Sequence, residues 1–250
     1  MNCALKAALA AIMLLRLAAP TAAGVLEDAA DAYRRGDYGI TLRAFRPLAD
    51  QGDATAQSLL GEMYALGQGV PQNYAEAVKW WRKAAGQGDA SAQYNLGVMH
   101  YEGRGVQRDY AAALSWYRKA ADQGDASAQY NLGSMYDKGQ GVPQDYVAAL
   151  SWYRMAADQG DADAQFNLAA MYDKGQGVSQ DYINAHMWFD LAAAQGDLDA
   201  MEQRSLVEKR MTKSQLAEAL KLSREWKPKP TPRPALDRSS PQRGADLTPF

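Results

Sequence analysis

Apolar residues between residues 52 and 195 follow a helical spacing in two segments of about 13 residues, and the pair of segments recurs every 36 residues. In one copy Ala92, Leu96, Gly97 and Met99 share a face of the segment 90–102, and Ala113, Leu114, Tyr117, Ala120 and Ala121 share a face of the segment 110–123. Asp89 and Asp109 stand where helix N-caps are expected, and Gly103 and Gly124 where a left-handed residue closes each helix. Helices of this length are marginal alone in water. One hairpin leaves apolar faces uncovered, so hairpins have to stack, and at least three are needed. The pattern predicts an all-α chain of stacked helical hairpins.

The copying is strict. Gln-Gly-Asp begins at Gln51, Gln87, Gln123, Gln159 and Gln195, and Trp80, Trp116, Trp152 and Trp188 are each followed by an aromatic residue. Gly-x-Gly-Val recurs at Gly67, Gly103, Gly139 and Gly175, and a tyrosine at Tyr38, Tyr74, Tyr110, Tyr146 and Tyr182. Residues 88–123 and 124–159 are identical at 27 of 36 positions, which points to duplication of one unit. Gly-x-Gly-Val lacks a following Gly-Lys-Ser/Thr and comes after a helix rather than a strand, so it reads as a helix closure and not a phosphate loop.

The run Ala-x-Ala-Gln-Tyr-Asn-Leu-Gly at residues 90–97 and 126–133 is joined by Gly-x-Gly-Val-Pro-Gln-Asp-Tyr at 139–146 and Ala-Leu-Ser-Trp-Tyr-Arg-x-Ala-Ala at 149–157. Together these closely resemble the Sel-one-like repeat (SLR) family, relatives of the tetratricopeptide repeats. The resemblance implies a right-handed α-solenoid whose first helices line a concave surface, and a protein-binding scaffold without catalytic activity. Four full units are expected at 52–87, 88–123, 124–159 and 160–195. Residues 24–51, with Arg34-Arg35-Gly36-Asp37 in place of the glycine link, look like a shorter N-terminal capping hairpin. Residues 196–226 look like a closing helical pair, with Thr212 and Gln215 at capping-box spacing.

The ends differ in composition. Residues 1–23 have the three-part design of a secretory signal: Lys6, an apolar run, then Thr21-Ala22-Ala23. A periplasmic or secreted location is therefore expected. Residues 227–250 hold six of the ten prolines, and alternating X-Pro favours extended polyproline II, so this stretch reads as a disordered, mildly basic spacer, the alternative being a docking ligand for an aromatic groove.

Charge and chemistry narrow the classes further. Twenty-seven basic against 29 acidic residues leave no electrostatic footprint for nucleic acid. No apolar run reaches the ~20 residues of a transmembrane helix. Cys3 is the one cysteine, which excludes a disulfide framework or thiolate metal cluster, and no cofactor is expected. His100 replaces a tyrosine of the other units and His186 a leucine, so both read as packing residues. Asp53, Asp89, Asp125 and Asp161 are accounted for as helix caps, leaving no acid pair for catalysis.

Positions that vary between copies are the candidates for recognition. On the first helices these are Tyr94, Asn95, Val98 and Tyr101, then Tyr130, Asn131, Ser134 and Asp137, then Phe166, Asn167 and Asp173. The aromatics offer low-entropy anchors and the asparagines can pair with an extended peptide backbone. Two readings stay open: a binding face for a protein segment, or aromatics packing between units while the asparagines tie helices to loops. The expected function is a monomeric adaptor or regulator of the cell envelope that holds a protein partner. The alternatives are a binder of peptidoglycan fragments or other glycans and, since some cysteine-rich relatives of the family are linked with β-lactams, a β-lactam-interacting hydrolase. The missing cysteine pairs weaken the last.

Overall fold

The computed structural model describes residues 31–229. The expected signal segment and everything beyond Lys229 lie outside the described residues. These residues are helical throughout, without a strand among them, and fall into two compact units, one ending at Asp89 and the other beginning at Ala90.

In the first unit a helical turn at 31–34 precedes α1 (Tyr38–Asp50), α2 (Ala54–Leu66) and α3 (Tyr74–Gly86). Asp53 caps α2 through the Ala56 amide at 2.7 Å, and Asn73 caps α3 through that of Glu76. Helices α2 and α3 close into a hairpin around Leu60, Met63 and Trp80, with Phe45 and Ala49 of α1 added to the same core. Gly61 makes this closure possible, since a Cβ there would lie 2.4 Å from the Trp81 indole nitrogen, which donates to the Ser58 carbonyl.

The second unit repeats the scheme along α4 (Ala90–Glu102), α5 (Tyr110–Ala121), α6 (Ala126–Lys138), α7 (Tyr146–Asp158), α8 (Ala162–Lys174) and α9 (Tyr182–Ala194). It closes with α10 (Leu198–Glu208) and α11 (Lys213–Glu225), and α11 turns back onto α9. Leu96, Leu132 and Leu168 are sealed in the interior, each worth about 1.5–3 kcal/mol relative to exposure. Helix α5 stops short of the expected Gln123 because Asp122 is its C-cap, and the Gln123 and Gly124 amides turn back to the Ala120 and Ala121 carbonyls.

Two structural roles of the repeated residues emerge only in three dimensions. The first glycine of Gly-x-Gly-Val closes a helix in the left-handed region, as Gly139 does at φ 66°. The second lets the link press on the preceding repeat: a Cβ on Gly177 would sit 2.4 Å from the Tyr146 carbonyl oxygen. The other role belongs to glutamine. Gln159 of one hairpin donates to Gln129 Oε1 at 2.7 Å, and Gln195 to Gln165 Oε1 at 2.9 Å. Gln129 and Gln165 in turn donate to the Ala121 and Ala157 carbonyls, so a polar seam runs from repeat to repeat.

The end of the second unit is tied differently. Asp197 caps α10, and Thr212 and Gln215 form the expected capping box on α11. Asp190 of α9 accepts from Arg204 of α10 at 2.5 Å and from the Ser223 hydroxyl of α11 at 2.8 Å. Trp226 then meets Trp188 edge-on with ring centroids 6.1 Å apart. The spacer expected from Lys227 onward is docked at its start: the Lys229 amide donates to the Asp158 carbonyl at 2.7 Å and its ammonium lies 2.6 Å from the Asp158 carboxylate.

Candidate functional site

Helices α4, α6 and α8 carry the variable positions on one side, away from Leu96, Leu132 and Leu168. Every candidate there is half-buried: Tyr94, Asn95, Val98 and Tyr101 on α4, Tyr130, Asn131, Ser134 and Asp137 on α6, Phe166, Asn167 and Asp173 on α8. Partial burial at a fixed 36-residue interval makes this a row of ring edges and polar groups between interior and solvent.

The rings are held by their own hairpins. Tyr94 tilts against Tyr117 with centroids 5.9 Å apart, Tyr130 against Tyr153 at 5.8 Å, and Phe166 meets Phe189 edge-on at 5.4 Å. Tyr117 and Tyr153 fit because Gly97 and Gly133 face them, where a Cβ would fall 2.5 Å and 2.6 Å from the rings. Burial pushes both phenols well above the usual tyrosine range, and nearby Tyr94, in one case, and Asp137, in the other, add to it. Tyr94 and Tyr130 are raised as well, first by burial. These phenols stay neutral at physiological pH.

The asparagines approach the rings from one repeat to the next: Asn131 acts on the Tyr94 phenol and Asn167 on that of Tyr130, each against the upward push of burial. Asn167 also donates to the Asp163 carbonyl at 2.9 Å. The rings thus pack within their hairpins, and all of these groups remain partly open to solvent. At the C-terminal ends of the first helices the repeats diverge. Tyr101 donates to Gln140 Oε1 at 2.9 Å and tilts against Tyr110 at 5.2 Å, while Asp173 holds Arg210 at 2.6 Å, whose guanidinium lies over the Tyr182 ring at 4.8 Å. The carboxylates Asp125 and Asp161 border the face at the helix N-termini. Each accepts a capping bond, and burial raises the pKa of both.

Sequence reasoning missed the approach of asparagine to tyrosine and the glutamine seam. The signal for both was in plain view, since Gln93, Gln129 and Gln165 keep the same period as Gln123, Gln159 and Gln195. What was lacking is the register that brings residues 30 and 37 positions apart together.

No grouping of three potential metal ligands occurs among the described residues. No described helix is long and apolar enough to cross a membrane. His186 is sealed in the interior between α9 and the closing pair, and burial lowers its pKa. Ser223, Asp190 and Arg204 form a structural tie. An open depression lies at the α6–α7 link, lined by Tyr136, Pro143, Asp145, Tyr146 and Val147, again without a reactive pair.

The Sel1 repeat model matches four consecutive stretches, residues 54–89, 90–125, 126–161 and 162–197. This frame begins two residues after the one read from the Gln-Gly-Asp triplets, so that each unit opens on the first residue of a helix. A Sel1 repeat protein from Oxalobacter formigenes is 35% identical, with a TM-score of 0.67 over 71% of this chain and 73% of that one. The protein c5321, described as a protective antigen present in uropathogenic Escherichia coli strains and displaying an SLR fold, is 34% identical with a TM-score of 0.55. That match takes in 82% of this chain and 53% of c5321. Curated proteins give no match. Sel1 repeats are in general non-catalytic scaffolds for protein interaction. With the repeat matched over more than half its length and a relative of the same helical build at 35% identity, the chain belongs to the Sel1 repeat family.

Proposed function

We propose that the protein is a non-enzymatic adaptor or regulator of the bacterial-type cell envelope, and that it holds an extended protein segment against the first-helix face of α4, α6 and α8. The observation that carries this is the face itself. Interior and seam residues repeat almost unchanged, whereas Val98, Ser134 and Ala170, or Tyr101, Asp137 and Asp173, change at equivalent positions while remaining partly exposed. Stacking alone does not demand that variation, and a partner with a defined sequence does. The envelope assignment rests on the secretory pattern of residues 1–23.

The test is a pull-down from envelope extract with chemical cross-linking, comparing wild type with Val98→Arg plus Ser134→Arg. Circular dichroism of the variant serves as the folding control. A protein retained by wild type, cross-linked to α4, α6 or α8 and lost from the folded variant is the expected result. A partner retained equally by both overturns the face, and capture of muropeptides without protein favours a glycan binder.

A further inference from the structure

Three equivalent tyrosines open the second helices of the second unit: Tyr110 on α5, Tyr146 on α7 and Tyr182 on α9. Two of these rings are covered. Tyr110 is met by the Tyr101 ring at 5.2 Å, and the Arg108 guanidinium lies 5.6 Å from its centroid. Tyr182 lies under the guanidinium of Arg210 at 4.8 Å, and Asp173 holds that guanidinium in an ion pair at 2.6 Å. Tyr146 has neither a ring nor a cation against it among the described residues, and it borders the open depression together with Val142, Pro143 and Val147.

Asp137 of α6 corresponds to Asp173 of α8, and the two hairpins share one frame. Gln144 donates to the Asp137 carbonyl and Gln180 to that of Asp173, both at 2.6 Å. The Asp145 and Asp181 amides reach the Tyr136 and Tyr172 carbonyls, both at 3.0 Å. Gly139 and Gly175, which lie between, have φ of 66° and 69°. Asp137 and Tyr146 therefore stand to one another as Asp173 and Tyr182 do, around the place that a guanidinium takes in the later hairpin. The residue 36 positions before Arg210 is Lys174. Helix α8 runs through Lys174, whereas α10 ends at Glu208, so Arg210 lies beyond its helix and turns back while Lys174 does not. Lys174 is exposed, and the Asp137 carboxylate has no ion pair among the described residues.

The depression, of about 540 Å³, supplies the apolar part of the site. Val147 at its edge is 61% exposed, so the stem of a long side chain has valine and proline to lie on. An arginine head is planar: its face stacks on a ring while its edge meets a carboxylate, as Arg210 does. An ammonium is a compact, strongly hydrated charge without that plane.

We infer that Asp137, Tyr146 and the depression walled by Pro143 and Val147 form a docking site for an arginine side chain of the bound protein segment. The inference rests on the proposed first-helix face, of which Asp137 is one edge, and it adds the chemistry of one residue of the partner.

The test titrates the full chain with acetyl-arginine N-methylamide, read by NMR of the valine and leucine methyl groups. Saturable shifts at Val142 and Val147 are expected, with the exposed Leu66 and Leu198 unmoved. The citrulline analogue has the same shape without the charge and is expected to bind about 10-fold more weakly, because ion pair and cation–π contact are lost together. Asp137→Asn is expected to weaken the arginine probe about 5-fold and Tyr146→Leu about 3-fold, with unshifted Leu132 and Leu168 methyls as the folding control. Equal binding by the citrulline or lysine analogue, no loss in Asp137→Asn, or shifts that are absent or spread to Leu66 and Leu198 each overturns the site. These titrations contain no partner, so they can fail while the pull-down still maps a protein to the face, and succeed where the pull-down finds none.

Discussion

Helices α6–α7 and the closing pair α10–α11 belong to the same unit and are held by different physics. In α6–α7 the contact is a glycine facing a tyrosine, Gly133 on Tyr153, with Leu132 and Met135 beneath it. Shape does the work, and because the same residues recur at Gly97 and Tyr117, one solution serves several repeats. Among the described residues no further hairpin stacks on the closing pair. It is fastened by side chains that occur once: Asp190 bridging Arg204 and Ser223, His186 in a leucine position, and Trp226 on Trp188. Repeats are stabilised by reusable apolar geometry, and an end needs specific polar and aromatic ties that the repeat cannot supply.

The largest expected effect strikes the repeated geometry. Leu132→Asp buries an unpaired carboxylate where no side chain can answer it. A loss above about 4 kcal/mol is expected, seen as absence of a cooperative urea transition. Asp190→Ala is the converse, cutting only the tie. It leaves Arg204 and Ser223 without their acceptor at a cost of about 1–3 kcal/mol. Hydrogen exchange should then rise in α10 and α11 while α6 and α7 keep their protection. Equal loss across all four helices would erase the distinction between repeat and end.

A smaller effect separates the two regions by pH. Burial lowers the pKa of His186, against which Asp190 of its own helix and Glu208 of α10 act to raise it and Arg204 to lower it. The unfolded chain therefore takes up a proton first. Stability is intact above the unfolded value of about 6.5 and is lost as pH falls through the lower folded value. His186→Leu, which restores the residue of Leu114 and Leu150, should remove this acid-sensitive component from melting curves between pH 7 and 5. An unchanged pH dependence would show that another group carries it. Smallest is Asp158→Asn. Lys229 is largely exposed, so the ion pair contributes about 0.2–1 kcal/mol, and the shift in melting temperature should be slight.

Much of the repeat was legible because its signals are local. Capping at Asp125 and Asp161, glycine closure at Gly139 and the apolar stripe through Leu132 each depend on residues within one helix or turn. The first-helix face of α4, α6 and α8 was legible as a set of positions and not as a set of contacts. Asn131 and Asn167 look free in sequence, and their approach to Tyr94 and Tyr130 follows from how far one hairpin is displaced on the next. The docked Lys229 was illegible for a related reason: proline alternation describes an extended chain, and says nothing of the acid 71 residues away that receives it.

By itself the sequence determined the helices, their period, the caps that begin and end them, and the need to stack. Those properties come from backbone conformation and from apolar spacing along one element. Only the tertiary structure decided which polar groups answer one another, the Gln129 to Gln159 seam, the Asp190 tie and the Asp158 contact with Lys229. Hydrogen bonds and ion pairs act over about 3 Å, and that scale is set by packing between elements rather than by position along the chain.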